Sequence, residues 1–410
     1  MRKVLDIAVA GAGPGGLATA LYLSRAGHRV HLFERFTRAR PIGSGLMLQP
    51  TGLAVLADLG LAGRATALGA RIDRLVGTDA RSGRAVLDVG YWPLGTHVHA
   101  IGIHRATLFK LLHEPVSERG MAIRTAYPVA SVERDTDRIW LRSPHGLEGP
   151  FDLVVDAMGA GSPLRAEARR GGPTRPLGFG AVWGTVPWVD DGFSRHALTQ
   201  RYVKAKVMIG VLPLGRRTRG GVEEAAFFWS LKPDEYAALE QRGFEAWSAE
   251  VRRHWPATAP HLAALGTFEA LTLARYAHQT LAHPAGDRIV FVGDSAHATS
   301  PQLGQGANMA LLDAAALSVA LERADDLPAA LGEYVRLRRW HVRLYQLLSL
   351  TLTPFYQSNG HLLPLLRDGL VAAAAQWGPV QRLLAGMVAG QLLRPLEAIG
   401  LEPAPTRSGT

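Results

Sequence analysis

Two glycine-rich segments, one near the start of the chain and one late in it, carry the residue types needed to hold the phosphates and sugars of a dinucleotide. The first reads Gly11-Ala12-Gly13-Pro14-Gly15-Gly16. Glycines at these spacings let backbone N–H groups approach a pyrophosphate, and a helix that begins there presents its positive end to it. Glu34 stands 18 residues past Gly16, where a carboxylate accepts hydrogen bonds from an adenosine ribose and disfavours a 2′-phosphate. The second segment runs from Gly293-Asp294-Ser295-Ala296-His297 through Pro301, Gly304, Gly306 and Ala307 to Asn308. Asp294 is placed to accept a ribityl or ribose hydroxyl. A helix starting near Asn308 offers N–H groups that stabilise negative charge on the pyrimidine edge of a reduced flavin.

These residues need particular elements to hold them. The apolar run Ile7-Ala8-Val9-Ala10 predicts a strand ahead of the first glycines, and Leu17, Ala20, Leu21 and Leu23 predict a helix after them. Val30 to Phe33 predicts the strand that ends at Glu34, and Ile289 to Val292 the strand that feeds Asp294. Residues 1 to about 75 alternate strand and helix, and about 76 to 96 is strand-like. Ile101 to Leu112 resumes a helical pattern after Arg105, and strand signals return from about 121 to 156. From about 176 to 231 the pattern is strand and turn, through Ala181-Val182-Trp183, Tyr202-Val203, Val207 to Leu212 and Ala225 to Trp229. A helical insert is expected from Glu235 to Trp255, and mostly helix from the second glycine segment to about 400. There is no internal repeat and no low-complexity linker.

With 410 residues the chain has room for two domains or one interleaved unit. It has no cysteine, which excludes disulfides, thiolate metal sites and a cysteine nucleophile. The net charge is +10, but only five basic residues are lysines and the arginines are scattered. No nucleic-acid motif accompanies them, so the expectation is no nucleic-acid partner and at most a positive field that draws anionic ligands. No apolar run is long enough to span a membrane. The expected location is cytoplasmic, with peripheral membrane contact by the Arg336–Leu348 helix or the Leu362 to Leu393 stretch kept open.

The chain resembles the FAD-dependent monooxygenases of the para-hydroxybenzoate hydroxylase class. The resemblance rests on the first glycines with Glu34, on Arg40-Pro41-Ile42-Gly43-Ser44-Gly45-Leu46 with Leu53 to Gly60, on Arg105-Ala106-Thr107-Leu108, and on Asp294 to Asn308. It implies an α/β fold: a Rossmann-like, GR2-type FAD-binding domain interleaved with a mostly β-sheet substrate domain, and a helical C-terminal region. The implied division is 1–75, 97–175 and 270–340 for FAD, 76–96 and 176–269 for substrate, and 341–410 for the helices. The implied cofactor contacts are Gly11, Gly13, Pro14, Gly15, Gly16, Glu34, Arg35, Arg40, Gly45, Leu46, Arg105, Val129, Asp294, Pro301, Gly304, Gly306, Ala307 and Asn308, holding FAD without a covalent link. The implied reaction uses NADH or NADPH and O2 to insert one oxygen atom, through a flavin C4a-hydroperoxide, into a hydrophobic or aromatic small molecule.

One departure weighs on the electron donor. Where the family carries an Asp-Gly pair, this chain reads Asp156-Ala157-Met158-Gly159, with Met158 in the aspartate's place. The pattern is similar to flavin reductases of hydrophobic terpenoid substrates and to flavin-dependent halogenases, which stand as alternatives. A halogenase would show Trp-x-Trp-x-Ile-Pro and an active-site lysine, and the nearest segment here is Trp183 to Trp188. Trp183, Tyr202, Met208 and Phe228, with Pro301, are the candidate substrate wall, and Arg201 or Arg216 a candidate carboxylate partner. His97, His99 and His104 are weighed near substrate, and no metal site is expected. No single catalytic acid or base is singled out.

Overall fold

The computed structural model describes residues 4–39, 44–358 and 377–403. Arg40, expected beside the cofactor, lies outside the described residues, as do residues 362–376 of the apolar C-terminal stretch.

A five-stranded parallel sheet carries the first glycine turn. Its spatial order is Ile289–Phe291, Leu153–Asp156, Asp6–Ala10, Arg29–Phe33, Ile123–Arg124. The central strand is covered on both faces, which explains why Ile7 to Ala10 reads as a continuous apolar run instead of alternating. Helix Pro14–Arg25 follows the turn, with Pro14 in the first turn, where a missing N–H removes no helical bond. Its Leu17 and Leu21 pack with Leu311, Leu312 and Ala315 of helix Gly306–Arg323 in one core. Both glycine segments therefore rest on the same pair of packed helices. Parallel sheets bind ligands beyond the carboxyl ends of their strands. At that edge Gly11, Glu34, Ala157 and Gly293 line one cavity.

A seven-stranded sheet forms the opposite wall, in the order Thr272–Ala274, Gly180–Pro187, Glu223–Leu231, Val207–Arg216, Ala197–Val203, Arg74–Asp79, Ala85–Gly90. All its pairings are antiparallel except Ala197–Val203 with Arg74–Asp79. One face packs Val182, Ile209, Phe227 and Trp229 against Trp247 of the helical insert and Leu262 of the following helix Ala259–Leu265. The other face looks into the cavity. The expected boundary after residue 75 thus falls within the strand Arg74–Asp79, and Thr272–Ala274, expected with the FAD unit, pairs with Ala181–Trp183 in this sheet.

The helical segments also differ in detail from expectation. The insert is two helices, Tyr236–Arg242 and Phe244–His254, interrupted at Gly243, whose φ of +85° belongs to glycine. Helix Leu327–Tyr356 runs unbroken through residue 341, where a separate C-terminal region was expected, and Asp326 caps it by accepting from the Ala329 N–H at 2.8 Å. Arg338 is not on its solvated face: it is 2% exposed and paired with buried Asp313. No helix among the described residues is long and apolar enough to cross a membrane.

Candidate functional site

A cavity of about 1000 Å³ lies between the two sheets and is lined by residues of both glycine segments and of the seven-stranded sheet. On its first side stand Gly11, Gly13, Pro14, Gly15, Glu34, Arg35, Gly45, Leu46, Arg105 and Val129. Asp294, Pro301, Gly304, Gly306 and Ala307 join them from the second segment. The glycines of the turn do different work. A Cβ on Gly16 would fall 1.9 Å from the Gly11 carbonyl oxygen, so Gly16, which is off the cavity wall, is a packing position. A Cβ on Gly13, which is on the cavity wall, would meet no protein atom within 4 Å. Gly13 precedes helix Pro14–Arg25 with no side-chain cap, and Gln305 precedes Gly306–Arg323 in the same way. Two helix N-termini, each a source of orphan N–H donors and positive potential, therefore open onto the cavity.

Two carboxylates face the same space. Glu34 accepts from the backbone N–H groups of Ala12 (2.9 Å) and Phe36 (3.1 Å). Each oxygen keeps a further lone pair for a ligand hydroxyl. Asp294 lies on the cavity wall, and its carboxyl is pushed up by desolvation beneath the protein surface, partly offset by His297 and Arg105. Arg105, at the start of helix Arg105–Glu118, also lies on this wall. Asn308 differs from expectation. Its amide donates to the carbonyls of Met47 (3.1 Å) and Gly304 (2.8 Å), and its oxygen accepts from the Gln49 N–H (2.9 Å). The side chain locks the Gly304–Gly306 turn onto strand Gly45–Leu48 and is off the wall, so its contribution is positional.

Behind the second segment lies a buried polar network that the sequence did not announce. The Gly293 N–H donates to Asp313 at 2.8 Å, and Asp313 is 2.5 Å from His297 Nε2 and 2.6 Å from Arg338 Nε. Burial pushes Asp313 up, but His297 and Arg338 outweigh it and hold the carboxyl well below the usual range. Arg338 continues to His341 Nδ1 (3.3 Å), whose Nε2 meets the Gly390 carbonyl at 3.0 Å. His297 is thus a structural partner of Asp313.

The other side of the cavity is aromatic. Trp183, Tyr202, Met208 and Phe228 all line it. The Trp183 and Phe228 rings lie 4.4 Å apart, and the Tyr202 and Tyr356 rings 5.6 Å apart. Trp183 Nε1 donates to the Tyr276 hydroxyl at 2.9 Å. Burial raises the Tyr276 phenol to about 12, so it stays neutral. Residues i and i+2 of a strand share a face, so Leu198, Gln200 and Tyr202 point in together while Arg201 points out, over Trp255 at 5.6 Å. Arg216 pairs with Glu223 at 2.9 Å on the surface. Neither arginine is on the wall. Gln200, Tyr276, Tyr356 and Arg275 are wall residues that pattern reading missed, and only Gln200 had a signal, its spacing of two from Tyr202.

His97 and His99 bond to each other locally, and His104 is buried with Nε2 2.8 Å from Glu224; none lines the cavity. Met158 does line it, held by its N–H to Asp156 at 2.9 Å, and burial raises Asp156 to about 6. Among the described residues no cluster of His, Asp and Glu could hold a metal ion, and no lysine lines the cavity.

A family model described as FAD binding domain matches residues 4–339. The chain is similar to the 3-amino-4-hydroxybenzoate 2-monooxygenase of Streptomyces cremeus, with 30% identity over 362 residues covering 82% of this chain and 83% of that one. It is similar also to the aurachin C monooxygenase/isomerase of Stigmatella aurantiaca, at 27% over 352 residues, covering 82% and 86%. The fold matches that of Klebsiella pneumoniae HpxO, solved with FAD and uric acid, at a TM-score of 0.76 and 20% identity over 94% of this chain and 97% of that one.

Proposed function

The chain belongs to the FAD binding domain family, and on that premise we propose that it inserts one oxygen atom from O2 into an aromatic or similarly apolar small molecule held against Trp183 and Phe228. It is an FAD-dependent oxidoreductase of the monooxygenase class, for which NADH or NADPH is the usual donor. The observation that carries the substrate reading is the single cavity whose one side is formed by both glycine segments and whose other side is the aromatic face of the seven-stranded sheet.

The residues present fit FAD. Gly13 leaves room where a phosphate must approach, two uncapped helix starts supply N–H donors, and two carboxylates face the cavity. In this reading Glu34 holds the adenosine ribose, the start of helix Pro14–Arg25 the pyrophosphate, and Asp294 a ribityl hydroxyl. The start of helix Gly306–Arg323, with Pro301, would hold the polar edge of the flavin ring. Arg35, Arg105, Gly45, Leu46 and Val129 complete the cofactor wall. FAD, when bound and reduced by NADH or NADPH, would activate O2, one atom of which goes to the substrate and the other to water. The protein's part is to orient the substrate on Trp183, Phe228, Tyr202 and Met208 and to exclude water from the apolar space around them. We take the FAD unit to be discontinuous in sequence, with the seven-stranded sheet as the substrate unit.

The test is NADH or NADPH oxidation by the purified holoprotein, with and without a panel of aromatic compounds. Stimulation by a subset of them together with an oxygenated product supports the reading, and oxidation indifferent to every compound counts against it.

A further inference from the structure

We propose that Gln200 determines specificity by donating a hydrogen bond to a neutral oxygen acceptor, so that the enzyme takes an uncharged aromatic phenol or ring ketone in preference to an aromatic carboxylate. The proposal rests on reading the Trp183–Phe228 side of the cavity as the substrate site.

Gln200 is 7% exposed and lines the cavity amid Leu198, Tyr202, Met208 and Phe228. Its orientation is fixed, because the Tyr202 hydroxyl donates to its Oε1 at 3.0 Å. Its Nε2 is thereby turned to Met208 Sδ, at 3.2 Å. A thioether is a weak acceptor and an amide nitrogen carries two hydrogens. Among the described residues this nitrogen has no oxygen partner, in a patch where Leu198, Met208 and Phe228 are apolar and the Trp183 and Tyr202 donors are already paired. The Trp183 N–H, for instance, is taken by Tyr276. A buried amide donor of this kind gains most from a ligand oxygen that takes a full hydrogen bond.

Charge points the same way. The four strands that carry the aromatic patch, Gly180–Pro187, Ala197–Val203, Val207–Arg216 and Glu223–Leu231, contribute no charged side chain to the cavity wall. Arg201 faces the opposite side of the sheet. Asp88, on the edge strand, is paired two-pronged with Arg74 at 2.7 and 2.6 Å. Arg275 lies past the end of strand Thr272–Ala274 and is exposed. A ligand carboxylate seated on the patch would thus be desolvated without a cation beside it, which is costly. A phenol or ketone oxygen seated on the patch would instead meet the Gln200 amide N–H. Sites built around such a bond reject analogues that lack the partner atom.

The experiment titrates the oxidised holoenzyme with 1-naphthol, naphthalene and 1-hydroxy-2-naphthoate and reads binding from the flavin absorbance change, which needs no turnover. The expected result is that 1-naphthol binds about tenfold or more tighter than either of the others. Gln200→Leu and Gln200→Met should bring 1-naphthol to the affinity of naphthalene, with FAD content and naphthalene binding retained as the check on folding. Equal or tighter binding of 1-hydroxy-2-naphthoate, weakened by Arg275→Ala, would overturn the proposal in favour of a carboxylate clamp. So would 1-naphthol affinity unmoved by both Gln200 variants, or no response to any of the three ligands. The monooxygenase reading fails by a different observation, namely the absence of oxygenated product, and is untouched by these binding outcomes.

Discussion

The carboxylate of Glu34 accepts a 2.9 Å hydrogen bond from the backbone N–H of Ala12, joining the end of the second strand of the parallel sheet to the glycine turn that ends the first. The acid therefore both shapes the turn and faces the cavity, whereas Asp294 faces the cavity without a hydrogen bond to protein among the described residues. Glu34→Ala and Asp294→Ala should each weaken FAD roughly ten- to a hundredfold, the effect of losing one or two charge-assisted hydrogen bonds. Only Glu34→Ala should also lower the Tm of the apoprotein. Fluorescence titration and thermal melts read the two effects separately, and unchanged FAD affinity in both variants would remove these acids from the site. The flavin should come free on acid precipitation.

Gly13 and Gly16 make a sharper pair. Gly16→Ala puts a methyl 1.9 Å from the Gly11 carbonyl and should destabilise the fold with or without cofactor. Gly13→Ala touches no protein atom and has φ −73°, which any residue adopts. It should leave the apoprotein Tm unchanged and lower FAD affinity at least about tenfold, since the methyl enters ligand space. A Gly13→Ala protein that binds FAD normally would mean that the pyrophosphate lies elsewhere.

The buried network behind Asp294 sets an acid limit on stability. Burial, with Arg338 beside it, lowers His341 to about 3 in the folded state, against an ordinary value near 6.5. Between those values the unfolded chain takes up a proton that the folded chain refuses, so stability is full above about pH 6.5 and declines as pH falls toward 3. His261, lowered to about 4 by burial, and Asp313, held low by His297 and Arg338 against the effect of burial, add losses of the same sign. Asp156, raised to about 6 by burial, and Asp294, also raised by burial, act in the opposite sense above their ordinary value. Burial lowers His28, His104 and His278 as well, so the depressed histidines outnumber these two acids and Tm should fall from pH 7 to pH 4.5. His341→Leu should flatten that slope while lowering Tm at pH 7, where it removes the bond to Gly390. An unaltered slope in the variant would assign the acid sensitivity to other groups.

Much of the glycine-lined side of the cavity was legible in the sequence because it depends on backbone geometry, and glycines, a helix start and a spaced acid leave a local pattern. Gly11, Gly13, Glu34, Asp294 and Gly306 could be named without knowing what packs where. Asn308 belonged to the same pattern, yet its side chain turns to Met47 and Gln49, a contact between distant parts of the chain that no spacing encodes. The substrate side was legible only as a set of strands. Pattern alone offered both Tyr202 and Arg201, and alternation requires them to face opposite ways, but which way is decided by the helical insert that covers the Arg201 face. Arg338 illustrates the converse. An arginine on a helix reads as solvated, and only the fold reveals buried Asp313 opposite it.

Met158 tests how electrons arrive. It lines the cavity next to Ala157 and Gly159, within two residues of buried Asp156. Anaerobic reduction by NADH or NADPH should be slow without substrate, and Met158→Asp should change that rate more than it changes FAD affinity. Stopped-flow absorbance follows both proteins directly. Fast wild-type reduction that is unmoved by the substitution would make Met158 a packing residue only.

The most direct test of the central claim uses 18O2. Purified holoprotein is supplied with NADH or NADPH and a neutral aromatic substrate such as 1-naphthol under labelled oxygen, and the product is weighed by mass spectrometry. One labelled oxygen atom per product molecule, taken from O2 and absent when only the water carries the label, is the predicted result. A product carrying oxygen from water, or one that has lost hydrogen without gaining oxygen, would contradict it and make the protein a dehydrogenase on a monooxygenase fold.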